Sequence, residues 1–215
     1  MCGNNVNEAL RERFEKTMEF VPKQGTLLEI GSYPFIVTEE LIRMGYNVTG
    51  IDKNKTDKTN IVQCDIENQL FPFKDNTFDI ILCMEIIEHL GVNPIHAIKE
   101  ANRVLKKDGI MVLTTPNILR LQNLKSIILK GKQLETLKSL SQVEWFGYIG
   151  HIREYTKNEL IDILKYCNFG IVDSCMYEGS KHKLTRIIGS LFPSLRTAII
   201  LSCKKVDHEV TVGNA

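Results

Sequence analysis

Glu85, Glu88 and His89 follow directly on an apolar run, Ile80 to Met84, that opens after Phe78-Asp79. Two carboxylates and an imidazole this close together can hold a divalent cation or move protons. The i, i+3, i+4 spacing predicts one helical face carrying all three. The apolar run suits a central parallel strand covered on both faces. A polar trio at the carboxyl end of such a strand sits where open α/β sheets build their sites. Burying it without partners would be costly, so the trio marks a candidate site.

Three other strand ends carry similar chemistry. Glu29-Ile30-Gly31-Ser32 ends the first strand and leads into a helix. Glycine lets the backbone approach a ligand, and a helix amino end favours an anionic group. Asp52 ends the second strand 21 residues beyond Gly31, close to the offset at which an acid holds ribose hydroxyls. Asp65 ends the third, placed to accept a hydrogen bond from an adenine amino group. One acidic strand end is commonly a helix cap or a solvated turn; three in succession favour a nucleotide site.

The elements that must position these residues alternate. Asn7 to Phe20 reads as an amphipathic helix. Strands are expected at Thr26–Gly31, Asn47–Asp52, Ile61–Asp65, Phe78–Cys83 and Ile110–Thr114. Helices are expected from Pro34 to about Met44, from Asn93 to Lys106, and from a cap at Thr156, with Glu159 at capping-box spacing, to about Cys167. Ile171–Tyr177 and Thr197–Lys204 are the last two strands. The alternation predicts a Rossmann-like, doubly wound α/β sheet, and the two strands in succession an antiparallel edge. The expected organisation is a single domain over residues 1–205, with 117–155 as an insertion over the site and 206–215 as a polar tail.

Composition sets bounds. The chain has 215 residues, 43% hydrophobic and 25% charged, as in an ordinary globular domain. No run approaches the length of a membrane span, and the start lacks a signal-peptide core. Six cysteines without a CxxC pair read as reduced thiols, mostly buried, of a cytoplasmic protein. The net charge of +1 is uneven: 117–138 carries +4 and 179–205 carries +6, leaving −9 for the remainder. Such asymmetry can mark a face that meets something anionic.

Four segments carry a family resemblance: LLEIGS at 27–32, GYNVTGID at 45–52, the stretch 61–90 ending FDIILCMEIIEHL, and EANRVLKKDGIMVLTTPN at 100–117. Together they resemble class I S-adenosylmethionine-dependent methyltransferases, of the small-molecule and glycan type (types 11 and 23), over about Leu27 to Phe169. The resemblance implies seven strands ordered 3-2-1-4-5-7-6 with strand 7 antiparallel, and S-adenosyl-L-methionine as cofactor. It implies that Glu29, Gly31 and Ser32 line the methionine end, Asp52 with Lys53 the ribose, and Asp65 with Ile66 the adenine. Met84 and Glu85 would lie beside the sulfonium. The family turn usually reads acid-x-Gly-x-Gly-x-Gly; here Tyr33 and Phe35 replace the last two glycines.

No Asn-Pro-Pro-Tyr-like segment follows the fourth strand, which argues against methylation of nucleobase amines. Two roles remain for Glu85, Glu88, His89 and His151. They could ligate Mg²⁺ or a similar ion, a set that resembles small-RNA 2′-O-methyltransferases and ubiquinone-pathway O-methyltransferases. Alternatively the site is metal-free, the favoured reading, with Glu88 and His89 structural and His151 a general base or substrate contact; His151, Glu85 and His89 are the catalytic candidates. In related enzymes a His-x-Arg-x-aromatic-Thr segment like 151–156 borders the acceptor pocket, and Trp145, Phe146 and Tyr148 could wall it.

The expected reaction is O-methylation of a small molecule, glycan or lipid-linked intermediate. A metal-dependent RNA 2′-O-methyltransferase and a non-catalytic binding protein of the same fold are the alternatives. Nucleic acid is not the expected partner, because no aromatic-basic binding module is evident. Helical segments at 118–130 and 184–192 pair apolar with basic residues. By default they bury their apolar sides on the domain; otherwise they could lie on the inner membrane face.

Overall fold

The computed structural model describes residues 3–91, 93–133 and 150–206. Seven strands form one sheet: β1 Thr26–Ile30, β2 Asn47–Asp52, β3 Ile61–Gln63, β4 Phe78–Met84, β5 Leu105–Pro116, β6 Phe169–Tyr177 and β7 Ala198–Lys205. Their order is β3-β2-β1-β4-β5-β7-β6. β1 pairs in parallel with β2 and β4, β2 with β3, and β4 with β5, whereas β7 runs antiparallel between β5 and β6. The order and the reversed seventh strand are those expected.

Alternate side chains of the central strands feed two cores, as buried parallel strands require. Leu28, Ile81 and Met111 join one core with Ile98 and Ala101 of α3 (Pro94–Val104) and Leu160 and Leu164 of a helix at Lys157–Tyr166. Leu27, Ile80, Leu82 and Val112 join the other with Phe14 of α1 (Gly3–Met18) and Leu41 of α2 (Ile36–Arg43). Further helices are α4 (Leu121–Lys130), α5 (the Lys157–Tyr166 helix just named) and α6 (Lys183–Leu191). Thr156 caps α5 in a reciprocal capping box with Glu159. Pro94 opens α3 behind Asn93, whose side chain accepts from the His96 amide. Among the described residues no helix is long and apolar enough to cross a membrane.

Three expectations need correction. Residues 85–89 are not an α-helix. Pairing of β4 with β5 continues to Met84 opposite Thr114, and the Glu85 amide still donates to the Thr114 carbonyl at 3.0 Å. The chain then leaves through a left-handed Glu85, φ 57°, into a single 3₁₀ turn at Ile87–His89. The helix expected to reach Lys106 ends at Val104, because β5 already pairs from Leu105. Finally, α4 and α6 bury their apolar sides only in part: Leu121, Leu124 and Ile188 are half-buried, Ile128, Leu129, Leu184 and Leu191 are exposed, and the buried positions are Asn123, Ser126, Thr185 and Gly189. The expected aromatic wall at Trp145, Phe146 and Tyr148, and the tail after 206, lie outside the described residues.

Candidate active site

The turn after β1 is shaped by close approach. Gly31 takes φ +74°, and a Cβ there would stand 2.1 Å from Ile86 Cδ1, so only glycine fits without displacing Ile86. Ser32 is buried, and its hydroxyl has no partner among the described residues. Phe35 occupies the position of the family's last glycine and keeps a glycine-like backbone, φ 73°. Tyr33 is 59% exposed and stacks edge-on against Phe35, with ring centroids 5.5 Å apart.

Asp52 holds this turn in place. One carboxylate oxygen accepts from the Tyr33 amide at 2.9 Å, and the other from the amide and side chain of Asn54 at 2.8 Å each. Asp65 closes its own turn, accepting from the Glu67 amide and the Asn68 side chain. A cleft of about 160 Å³ lies between these strand tips. Gly31, Asp52, Lys53, Asp65 and Ile66 line it, together with Tyr33, Ile86, His89 and Leu90. Glu29, Ser32, Met84 and Glu85 are not on that wall. The Glu29 carboxylate lies beneath the turn and accepts from Thr38 of α2. Burial, with a smaller push from the Asp52 charge, raises Glu29 to about 7 against the hydrogen bond from Thr38.

The Glu/His centre adjoins the cleft, but not as one helical face. Glu85 is drawn away: Thr114 donates to one oxygen at 2.9 Å, and Arg13 of α1 pairs with the other. Glu88 is fully buried, and Thr115 donates to its Oε2 at 2.9 Å. Glu88 Oε1 has no hydrogen-bond partner among the described residues and stands 4.0 Å from His151 Nε2. Burial, aided by the Glu85 charge, raises the Glu88 carboxyl well above its ordinary value. The Glu88 carbonyl accepts from the Ile152 and Arg153 amides, which fastens the 3₁₀ turn to the segment bearing His151.

His151 is oriented from behind. Its Nδ1 lies 3.0 Å from Glu154 Oε1, and the other Glu154 oxygen is held by Arg120. Burial works to raise the Glu154 carboxyl, yet the hydrogen bonds from His151 and Arg120 prevail and keep it below its ordinary value. With Nδ1 engaged, Nε2 is the ring atom left for chemistry. The His89 and His151 rings meet edge to face at 5.1 Å.

Glu88, His89 and His151 each offer a ligand atom within 4.8 Å of the other two. One carboxylate oxygen without a donor and two imidazoles, one backed by Glu154, suit zinc or a similar transition ion. Mg²⁺ prefers oxygen ligands and fits this donor set poorly. Glu85 stands outside the group.

Spacing in the sequence does not disclose the site roles of Arg13, Glu154, Arg120, Thr114 and Thr115. Glu154 lies inside the quoted His-x-Arg-x-aromatic-Thr segment, and the threonines inside TTPN, so those motifs held the available signal. Nothing local marks Arg13, which is 72 residues from its partner.

A methyltransferase-domain family model matches residues 3–174. The chain is 34% identical over 158 residues to a ubiquinone biosynthesis O-methyltransferase of Pelagibacter ubique, covering 67% of this chain and 61% of that protein. Over 126 residues it is 33% identical to the Caulobacter vibrioides protein of the same name, covering 52% of this chain and 50% of that one. The chain thus spans less than two thirds of these relatives. A solved S-adenosylmethionine-dependent methyltransferase from Archaeoglobus fulgidus superposes with a TM-score of 0.66 at 17% identity, covering 92% of this chain and 94% of that one. The [4+2]-cyclase SpnF superposes at 0.62 with 16% identity, covering 91% and 81%; these two likenesses concern the fold alone. With the family match spanning most of the sequence, and the strand order and acidic strand tips in agreement, the chain belongs to the class I S-adenosylmethionine-dependent methyltransferases.

Proposed function

We propose that this protein methylates an oxygen of a small molecule, glycan or lipid-linked acceptor. The carrying observation is the cleft flanked by Gly31, Asp52 and Asp65, with the Glu154–His151 pair beside it. Two features support cofactor binding at this edge: Asp52 and Asp65 line the cleft, and the buried Ser32 hydroxyl lacks a partner among the described residues; the space beside Gly31 is taken by Ile86. The ubiquinone-pathway names of the relatives support an oxygen acceptor.

When bound, S-adenosyl-L-methionine supplies a methyl group already activated by its sulfonium. Asp52, assisted by Lys53, would hold the ribose, and Asp65 and Ile66 the adenine. Gly31 and Ser32 would receive the methionine end, with Glu29 acting from beneath the turn and Met84 and Glu85 near the sulfonium. His151 would take the acceptor hydroxyl proton at Nε2 while Glu154 stabilises the resulting imidazolium. His89 packs against that ring and would help hold the acceptor in line. A lipid-linked acceptor would bring the protein to a membrane surface through the basic segments 117–138 and 179–205.

Calorimetry with S-adenosylmethionine and S-adenosylhomocysteine tests this reading. Asp52→Ala should weaken binding at least about tenfold, or ~1.4 kcal/mol. No binding at millimolar ligand would reject it in favour of a non-catalytic protein of this fold. A second reading adds a transition ion at Glu88, His89 and His151, favoured by the unpaired buried oxygen of Glu88. Elemental analysis of purified protein should then find a near-stoichiometric ion that Glu88→Gln removes; a metal-free protein with no affinity for zinc or manganese rejects it. Methylation of RNA with added metal, lost in His89→Ala, would replace the small-molecule acceptor with RNA.

A further inference from the structure

Helices α4 and α6 are amphipathic, but they turn most of their apolar side chains outward, with only Leu121, Leu124 and Ile188 half-buried. In an ordinary surface helix the apolar stripe faces the core and the polar side faces water. In α6 the inward residues are Thr185 and Gly189, where a Cβ on Gly189 would come within 2.9 Å of Glu178 Oε2. Apart from the half-buried Ile188, the large apolar side chains point outward: Leu184 is 68% exposed, Leu191 69%, and Ile187 and Phe192 about half. In α4 the inward residues are Asn123 and Ser126, and Asn123 donates to the Ile118 carbonyl at 2.7 Å. Ile128 and Leu129 are 78% and 68% exposed.

Both helices rise from the edge of the sheet that holds the site. β6 runs parallel to β5, because each is antiparallel to β7, and Tyr177 and Pro116 both register on Ala198. The chain therefore enters α6 and leaves toward α4 at the carboxyl edge. Asn117 ties the two together, its Nδ2 donating to the Ser194 and Arg196 carbonyls at 2.8 Å each. Arg120, at the start of α4, pairs with the Glu154 that orients His151.

The rim of this apolar face is basic. Lys125, Lys130 and Lys132 flank α4, and Lys181, Lys183 and Arg186 flank α6; all six are exposed. No aspartate or glutamate occurs in 117–133 or 179–205. Outward aliphatic residues with a cationic rim fit the headgroup and acyl boundary of an anionic bilayer. A second copy fits less well, since self-docking would bring two cationic rims together. Single-stranded nucleic acid fits less well too: it needs aromatic platforms, and the outward residues are aliphatic apart from Phe192.

We propose that α4 and α6 dock this protein on an anionic membrane surface, presenting the His151 edge to the bilayer. The docking does not depend on the reaction, although it would deliver a lipid-borne acceptor to the site.

Co-sedimentation of the full chain with phosphatidylglycerol/phosphatidylcholine vesicles, against phosphatidylcholine alone, tests it. Binding should require phosphatidylglycerol and weaken at least about tenfold at half-molar salt, where charge attraction is screened. Leu184→Asp with Leu191→Asp should weaken binding at least about tenfold, and so should Lys183→Glu with Arg186→Glu. Because these side chains point into solvent, both variants should keep the parent's melting temperature and cofactor affinity, a readout separate from the methyl-transfer reading. No binding to phosphatidylglycerol vesicles, or equal binding by both variants, overturns the proposal. So does a drop in solution mass from dimer to monomer in Leu184→Asp/Leu191→Asp, which would make the face a self-association surface.

Discussion

Replacing Glu29 by glutamine should flatten the protein's dependence on pH. Glu29 is buried beneath the glycine turn, and its carboxyl is raised from 4.5 to about 7. Burial disfavours the charged form and Asp52 adds repulsion, while Thr38 offsets only part of this. A raised folded-state value means that the native state holds the proton more tightly than the unfolded chain. The associated stability is complete below about pH 4.5 and is lost as pH rises through about 7. A shift of this size corresponds to ~3 kcal/mol, a substantial part of a typical domain's stability. Urea unfolding followed by circular dichroism, repeated across that pH range, measures it. The wild-type curve should fall relative to Glu29→Gln by ~3 kcal/mol on passing to mildly alkaline pH, and glutamine should still accept the Thr38 hydroxyl. The difference between the two curves isolates Glu29 from Glu88, whose carboxyl is raised for the same reason. Calorimetry in two buffers of different ionisation heat extends the test: a cationic ligand group arriving above Glu29 should release a fraction of a proton near neutral pH. Parallel stability curves for wild type and Glu29→Gln would show that the carboxyl is already ionised and would refute the burial argument.

Gly31→Ala should destabilise the fold by about 1–2 kcal/mol, from the left-handed backbone and the displacement of Ile86, and should abolish cofactor binding; unchanged calorimetric affinity would remove the turn from the site. Glu154→Gln should cost ~3 kcal/mol in denaturant titrations, because Arg120 is only 13% exposed and would lose its counter-charge. Adding Arg120→Met should recover much of that loss, and additive losses would show that the pair is not coupled.

Much of this architecture is written locally. TLLEI and FDIILCM are strands because nearly continuous apolar runs must be covered on both faces, and NVTGID buries Val48, Gly50 and Ile51 between β1 and β3. The acids closing β1 and β2, and Asp65 after β3, end at the same edge because parallel strands share a direction. Thr156 and Glu159 specify a helix start through bonds that span only three residues. The apolar runs and the cap depend on neighbours in the chain, so spacing reveals them; the shared edge then follows from the parallel direction that the alternation of strands and helices implies.

What spacing could not reveal depends on distant partners. The i, i+3, i+4 pattern at Glu85, Glu88 and His89 is compatible with a helix, but the pairing of β4 with β5 holds the chain extended to Met84. Glu85 is then captured by Arg13 from α1, and His151 is aimed by Glu154 and Arg120. The same holds for α4 and α6, whose periodicity records an apolar stripe but not the direction it faces. From sequence alone came the sheet, its acidic tips and the family. Tertiary structure decided which carboxylate reaches the histidines and which helices turn their apolar sides outward, because both depend on contacts between segments that only the folded sheet brings together.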